Sequence, residues 1–398
     1  MTPRQALDVL LQGTGLKADF LGADGATISQ AVSSQLATGD DELIGEDIIV
    51  QGELQARSLQ DTQTSVIVIT GEEFERRSDK DIYDIYQRTA GVMPGTNGRD
   101  LVIRGIQRNG LGFGGGATIS TRIDGADVSS AGRFRNLDFS TWDLEQVEIF
   151  RGPQSTQSGR NALAGVVDIR SKDPVFDFEA KARAEFGSGP TGAASFAVNV
   201  PIVEDTLALR VSVDRDQSAG FIENTTRQSD NYGDSELTTL RGSVRFDPFD
   251  NLSTVLKYTY LREERGGESL DGATFPDQRI STQAFRDFST REGNALNFRL
   301  NWDIDDHFRL ENDTSYLRTN GTVVSAAGTG EANFESFEQE LKLRYQSDWL
   351  NGVIGGFLTQ IDENDVIDGG VFSFDTPTRR RTTPPSARSK SRFCHRSG

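Results

Sequence analysis

Asp303 with Asp305, and Asp362 with Glu363, are among the carboxylate pairs spaced closely enough in the chain to share a reaction. Two acids held across a cleft would suffice for acid–base glycoside hydrolysis. Both pairs read as turn residues facing water, and with 60 Asp and Glu in 398 residues no pair separates itself from the charged background. An enzyme is therefore not expected. His307 and His395 are the two histidines and Cys394 the one cysteine. That set excludes an intramolecular disulfide and a cysteine-rich zinc site, and neither a metal nor another cofactor is expected. The glycine-rich stretch Gly110 to Gly116 lacks the Lys-Ser/Thr of a phosphate-cradling loop and the strand–turn–helix spacing of a dinucleotide site, and reads as a flexible loop. A net charge of −18, from 42 basic against 60 acidic residues, speaks against nucleic acid as a partner.

One segment has chemistry of another kind. Asp47-Ile48-Ile49-Val50 places three β-branched residues inside a polar stretch running from residue 33 to 61. Such a run is either an edge strand of the domain that follows or a strand offered to another protein, which would pair with it through main-chain hydrogen bonds.

The elements around it fall into distinct regimes. Residues 1–32 read as a short helix capped by Thr2, with Pro3 in its first turn and Gly13 past its end, then two strands near Leu16–Leu21 and Ala26–Ser29. Such a piece is too small for a core of its own. Residues 62–174 read as an α+β domain. Its strands fall at Val66–Ile69, Leu101–Arg104, Ile119–Asp124, Val147–Phe150 and Val166–Arg170, and its second helix is capped by Asp79 and buries Ile82, Ile85 and Tyr86.

From residue 175 to 375 the period is two. Leu207, Leu209, Val211 and Val213 alternate with Ala208, Arg210, Ser212 and Asp214, and about nine such strands follow one another. Short turns (Pro201–Asp205, Asp247–Asn251, Asp303–Asp306, Ser347–Asn351) alternate with long loops (Asp216–Glu236, Glu263–Glu292, Asn320–Asn333). A β-sandwich also alternates, but short turns on one rim and long loops on the other mark an outer-membrane barrel. Aromatics near strand ends, among them Tyr258, Trp302, Phe308 and Tyr316, fit interface girdles. No run reaches the ~18 apolar residues of a spanning helix. The fold class is thus an α+β domain followed by antiparallel transmembrane β-barrel strands, an incomplete barrel.

Leu144–Pro174 (LEQVEIFRGPQSTQSGRNALAGVVDIRSKDP) resembles the plug signature of TonB-dependent outer-membrane receptors. Leu101-Val102-Ile103-Arg104-Gly105 and Ile123-Asp124-Gly125 resemble two further plug motifs of that family. The resemblance implies a partial short N-terminal signalling domain at 1–32, a linker at 33–61 with the TonB box at 47–50, a plug at 62–174 and the first barrel strands at 175–375. It assigns Asp47, Ile48, Ile49 and Val50 to contact with TonB, the link to its inner-membrane energising complex. It assigns Arg104, Gly105, Asp124, Gly125, Glu148, Arg151, Gly152, Pro153 and Gly159 to plug motifs, with Arg104 and Arg151 as ionic locks to lumen acids such as Glu338 or Glu340. Arg108, Asn109, Phe113, Arg133 and Phe134 sit in loops placed to touch ligand.

The implied function is TonB-dependent uptake of a scarce ligand, an iron-siderophore, cobalamin or oligosaccharide, across the Gram-negative outer membrane. The plug and N-terminus would face the periplasm, the barrel would meet outer-membrane lipid, and a periplasmic anti-sigma regulator would be a further partner. The alternative is a non-transporting remnant or periplasmic module that still binds TonB. The family's barrels have roughly 22 strands, so the chain reads as a fragment. Residues 376–398 carry seven of the 42 basic residues and no acidic one. They are either a functional basic tail or the product of a frame change after Asp375, and the frame change is the better account.

Overall fold

The computed structural model describes residues 16–21, 25–30, 49–50, 57–58 and, with short breaks, 62–382. Strands β1 (Leu16–Leu21) and β2 (Gly25–Gln30) form a hairpin, and β3 (Ile49–Val50) pairs with β4 (Arg57–Ser58). The next elements are β5 (Val66–Thr70), helices α1 (Gly71–Arg77) and α2 (Ile82–Arg88), β6 (Val92–Pro94), β7 (Leu101–Ile103), β8 (Ile106–Gln107), β9 (Ile119–Ile123), β10 (Ala126–Asp127), β11 (Leu144–Arg151) and β12 (Gly165–Ser171).

Five of these strands make one mixed sheet in the order β10-β9-β12-β11-β5, in which only β12 and β9 run parallel. Alternate residues Val147, Ile149, Val167, Ile169, Ile119 and Ile123 point to one face and are fully buried. Phe74 of α1 and Ile82, Ile85 and Tyr86 of α2 cover that face and complete the core. Asp81, not Asp79, caps α2: its backbone is extended and its carboxylate accepts from the amides of Tyr83 (2.9 Å) and Asp84 (3.0 Å). Asp79 is buried and pairs with Arg88 near the other end of the helix. Burial pushes its carboxyl up, against the pull of that guanidinium.

Two sequence motifs are hairpin turns. Arg104-Gly105 (φ 50° and 82°) joins β7 to β8, and Asp124-Gly125 (φ 47° and 92°) joins β9 to β10. Positive φ at both central residues is the two-residue turn that matches strand twist, which explains an Xaa-Gly pair at each.

The second sheet holds ten consecutive antiparallel strands: β13 (Glu179–Gly187), β14 (Thr191–Val203), β15 (Leu207–Ser218), β18 (Ser235–Phe249), β19 (Leu252–Gly266), β21 (Phe288–Asp303), β22 (Phe308–Ser325), β23 (Gly328–Gln346), β24 (Asn351–Gly369) and β25 (Phe372–Thr382). Between them β16 (Ile222–Asn224), β17 (Ser229–Tyr232) and β20 (Ile280–Ser281) tie two long loops together. The burial pattern inverts that of a soluble sheet. Ala208, Arg210, Ser212 and Asp214 are buried, whereas Leu209, Val211 and Val213 are 37%, 42% and 38% exposed. Tyr258, Trp302, Phe308, Tyr316 and Phe357 also face outward. A sandwich would bury those apolar side chains; a barrel in lipid turns them out and keeps its polar residues for the lumen.

Several expectations change. Among the described residues a further strand, β25, follows the nine and continues to Thr382, across the boundary drawn after Asp375. Asn320–Asn333 is no loop: β22 and β23 stay in register up to Ser325 opposite Gly328, carried by the β-branched run Thr322-Val323-Val324. Asp362 and Glu363 lie inside β24 rather than in a turn, and as strand neighbours they point to opposite faces. The two N-terminal strands form as read, and β2 adds to the edge of β13, pairing Ser29 with Lys181 and Gly25 with Glu185.

Gly165 marks one of the tightest packing points of the plug. A Cβ there would lie 2.5 Å from the Phe150 carbonyl oxygen and 2.8 Å from Ile103 Cδ1. Gly165→Ala should lower the plug's stability by ~1–3 kcal/mol, measured as a lower urea midpoint by the fluorescence of buried Trp142.

Candidate functional site

The inward positions of the barrel strands carry charge, and period two fixes where each points. Arg210 of β15, Arg241 of β18, Lys257 of β19 and Arg299 of β21 all face the plug. A cation inside a lumen needs a counter-charge or water, and the plug supplies the counter-charge.

The segment Ser140–Asp143, just ahead of β11, makes the densest contact. Asp143 takes a bidentate fork from Arg210 (Nε to Oδ2 2.9 Å, Nη2 to Oδ1 2.6 Å) and lies 3.3 Å from Lys181. Arg210 also donates to Glu179 at 2.7 Å. Arg241 donates to the carbonyls of Trp142 (2.5 Å) and Ser140 (3.0 Å). Ser140 Oγ donates to Asp214 (2.6 Å), which also receives Arg183 (3.1 Å). The Trp142 indole donates to the Phe196 carbonyl at 3.1 Å, and its ring lies beneath Lys181 (4.4 Å) and Arg183 (5.1 Å).

A second anchor is built on the Asp124-Gly125 turn. The Asp124 carboxylate accepts from the Ser171 amide (3.0 Å) and hydroxyl (2.8 Å) of β12 and from Lys257 Nζ (2.9 Å). Its carbonyl accepts from Asn297 at 2.7 Å. Lys257 and Arg299 both pair with Asp173. Near the long-loop rim Arg265 pairs with Asp138, and Lys80 reaches Asp216 at 3.0 Å.

Burial alone would push the Asp143 carboxyl up, but the Arg210 hydrogen bonds and the charges of Lys181 and Arg210 outweigh it and hold the carboxyl well below the usual range. Asp173 is likewise held down against its burial by Lys257 and Arg299.

Ile49–Val50, the described part of the expected box, packs on the other face of the plug sheet. Val50 is fully buried in a small cluster with Val68, Phe150, Ala162 and Val166. Ile49 is 41% exposed, and its carbonyl accepts from the Gln146 amide at 3.2 Å. Asp47 and Ile48 lie outside the described residues, as do Asn109, Phe113, Arg133, Phe134 and Gly159. Arg108 is buried just past the β7–β8 hairpin, with its amide donating to the Leu101 carbonyl at 2.7 Å. Pro153 follows Gly152 (φ 128°) at the end of β11, and Glu148 is buried within that strand.

The ionic locks differ from expectation. Arg104 is exposed on its turn with its guanidinium beside Gly152, and Arg151 donates to the Ala90 carbonyl at 2.9 Å. It is Arg122 that meets Glu338, at 3.7 Å. The larger seam runs with opposite sign, plug acid against barrel base. The signal for it was in the alternation: Arg210, Arg241, Lys257 and Arg299 all stand at wet-face positions and require partners.

Residues 58–166 match the model of the TonB-dependent Receptor Plug Domain. That segment is a plug domain of the TonB-dependent receptor type. The chain is 25% identical over 269 residues to the ferrioxamine receptor of Yersinia enterocolitica, covering 65% of this chain and 36% of that protein. It is 24% identical over 297 residues to the catecholate siderophore receptor Fiu of Escherichia coli, covering 70% and 37%. In fold it is similar to the ferric yersiniabactin uptake receptor FyuA of Yersinia pestis (TM-score 0.69, 16% identity, 80% of this chain and 52% of that one). It is also similar to the ferripyoverdine receptor of Pseudomonas aeruginosa (TM-score 0.66, 15% identity, 95% and 52%). The chain thus spans less than two-fifths of these curated relatives and about half of the solved receptors.

Arg210→Met leaves Asp143 buried without its main partner and should cost ~3–5 kcal/mol in plug docking, read from the urea midpoint. Because the Asp143 and Asp173 carboxyls are held low in the folded state, their contribution is complete above the unfolded carboxyl range near pH ~4. It is lost as pH falls through the depressed folded values. Midpoints should be flat from neutral pH to about 5 and fall below about 4, and Asp143→Asn should shrink that acid slope.

Proposed function

We propose that this chain is the plug and leading barrel strands of an outer-membrane receptor for ferric siderophores, energised through TonB. The observation that carries the reading is the contrast between the plug's two attachments. One side is braced to the barrel wall by buried ion pairs, while the described part of the segment, Ile49–Val50, meets the plug sheet through the buried Val50 side chain and the Ile49 carbonyl and otherwise pairs with Arg57–Ser58. That arrangement suits a plug that stays seated while its leading strand is handed to a partner as an added β-strand. The relatives whose names state a ligand are siderophore receptors, which favours an iron chelate over cobalamin or an oligosaccharide as cargo. The metal would be part of that cargo. The outward apolar positions of β15–β24 support an outer-membrane setting, with the short-turn rim and the box on the periplasmic side.

Proline at position 49 would remove an amide donor and resist strand pairing. Ile49→Pro should weaken binding of the chain to the periplasmic domain of TonB by about tenfold or more, measured by biolayer interferometry. Unchanged affinity would remove the box assignment. Ferrioxamine and ferric catecholates, titrated against intrinsic fluorescence, test the ligand class: quenching that saturates with an iron chelate but not with cobalamin is the expected result.

A further inference from the structure

The face of the plug sheet that receives the box is half apolar and half charged, and the charged half has a direct route to the barrel wall. Gln146 and Glu148 stand two apart on β11 and share a face; Arg170 and Asp168 are their register partners on β12, and Arg122 is the partner of Asp168 on β9. Side chains opposite one another in register lie on one face, so these five form a row across three strands. Its members are joined in sequence. Gln146 Nε2 donates both to the Ile49 carbonyl (3.2 Å) and to Glu148 Oε1 (2.6 Å). Arg170 lies within electrostatic reach of Glu148 and donates to Asp168 at 2.8 Å. Asp168 in turn lies within reach of Arg122, which stands 3.7 Å from Glu338 on barrel strand β23. Glu338 is fixed by Thr359 of β24 at 3.1 Å.

Glu148, Gln146 and Asp168 are at least nine-tenths buried. In such surroundings a polar group left without its neighbour is costly, so each member orients the next. Ile49, Arg122, Asp168, Arg170 and Glu338 also line one cavity of about 610 Å³ between plug and barrel, which gives the row room to rearrange.

We propose that Gln146 is the latch on the box segment, and that the row Glu148–Arg170–Asp168–Arg122 couples this latch to Glu338 of the barrel wall. A change at the wall that moves Arg122 then loosens the box without touching it, and holding Gln146 on Ile49 keeps the strand from its partner. The inference rests on reading residues 47–50 as the TonB box, but it concerns docking of the segment and is tested without TonB.

The test uses Val50→Cys in a Cys394→Ser background, so that the single thiol is buried while the segment is docked. Its maleimide labelling rate in the detergent-solubilised full chain reports undocking. Gln146→Met, of similar size but without the donor, should raise the rate about three- to tenfold. Gln146→Glu, which keeps polarity but places an acceptor against two oxygens, should raise it at least as much. Glu338→Gln should raise it about twofold or more, and its effect should not add to that of Gln146→Met. Glu335→Gln on the same strand, outside the row, should leave it unchanged. Circular dichroism matching the parent shows that each variant keeps its sheets. A rate that neither Gln146 variant changes overturns the latch. A Glu338→Gln rate equal to the parent, or simple additivity of the two, overturns the coupling. Failure of Ile49→Pro to affect TonB binding would remove the partner and leave these rates as they are.

Discussion

A charge pointing into a barrel lumen needs water, a neighbouring strand or the plug to satisfy it, and Arg210 shows how this chain resolves that constraint. Its side chain is almost fully buried, and Asp143 answers with both oxygens. Neither group is tolerable there alone, since a buried ion stripped of its partner costs several kcal/mol. The pair therefore fixes more than itself. Asp143 adopts a left-handed backbone (φ 60°) to present its carboxylate, and its carbonyl accepts the Lys172 amide at 3.1 Å, which ties the entry of β11 to the exit of β12. Trp142, one residue back, is thereby placed under Lys181 and Arg183. The position of the central plug sheet inside the barrel follows from that one registration.

Magnitudes separate what must hold from what must yield. Burial of Val50 is worth about 1.5–2 kcal/mol, and the Gln146–Ile49 hydrogen bond about 1 kcal/mol. Each buried pair of the seam costs roughly 3–5 kcal/mol when one partner is removed, and the seam has several. The Ile49–Val50 contacts with the plug are therefore weaker than the seam. The two faces of one sheet thus carry different duties: the Val147/Ile149/Val167/Ile169 face makes a permanent core, and the opposite face makes a small, reversible one.

Much of this was legible in the sequence, for identifiable reasons. Strands with strict alternation, such as Leu207–Asp214, declare both their type and their inner face, and Asp-Gly after Ile123 declares a hairpin. The fold class follows from those signals. What local pattern could not give was pairing between distant segments. Arg104 and Arg151 stand at motif positions but lie on a turn and against Ala90, whereas Arg122 lies between Thr121 and Ile123 of β9 and reaches the wall because the parallel β9–β12 pairing puts it there. Asp79 and Asp81 are equally good caps by residue type. Only the extended backbone immediately ahead of Ile82 selects Asp81. The β22–β23 hairpin was misread because Gly321, Gly328 and Gly330 resemble loop composition, while the register between them is unbroken.

The seam is also unevenly distributed, and that bears on how such a plug can move. Its tightest contacts fall on β13, β14, β15 and β18, through Lys181, the Phe196 carbonyl, Arg210 and Arg241. Toward β19–β23 the plug meets the wall at fewer points, chiefly Lys257, Asn297, Arg299 and the longer Arg122–Glu338 contact, and there the cavity of about 610 Å³ opens. Among the described residues the plug is thus fastened more densely along β13–β18 than along β19–β23. Force delivered through the segment ahead of β5 acts on the sheet edge, where β5 pairs only with β11 among the described strands. β5 itself is firmly held, by five register pairs to β11 and by Ile69 in the main core. The weakly held contacts on this edge are therefore those of Val50 and the Gln146–Ile49 bond, while Asp143 and Arg210 form a buried pair.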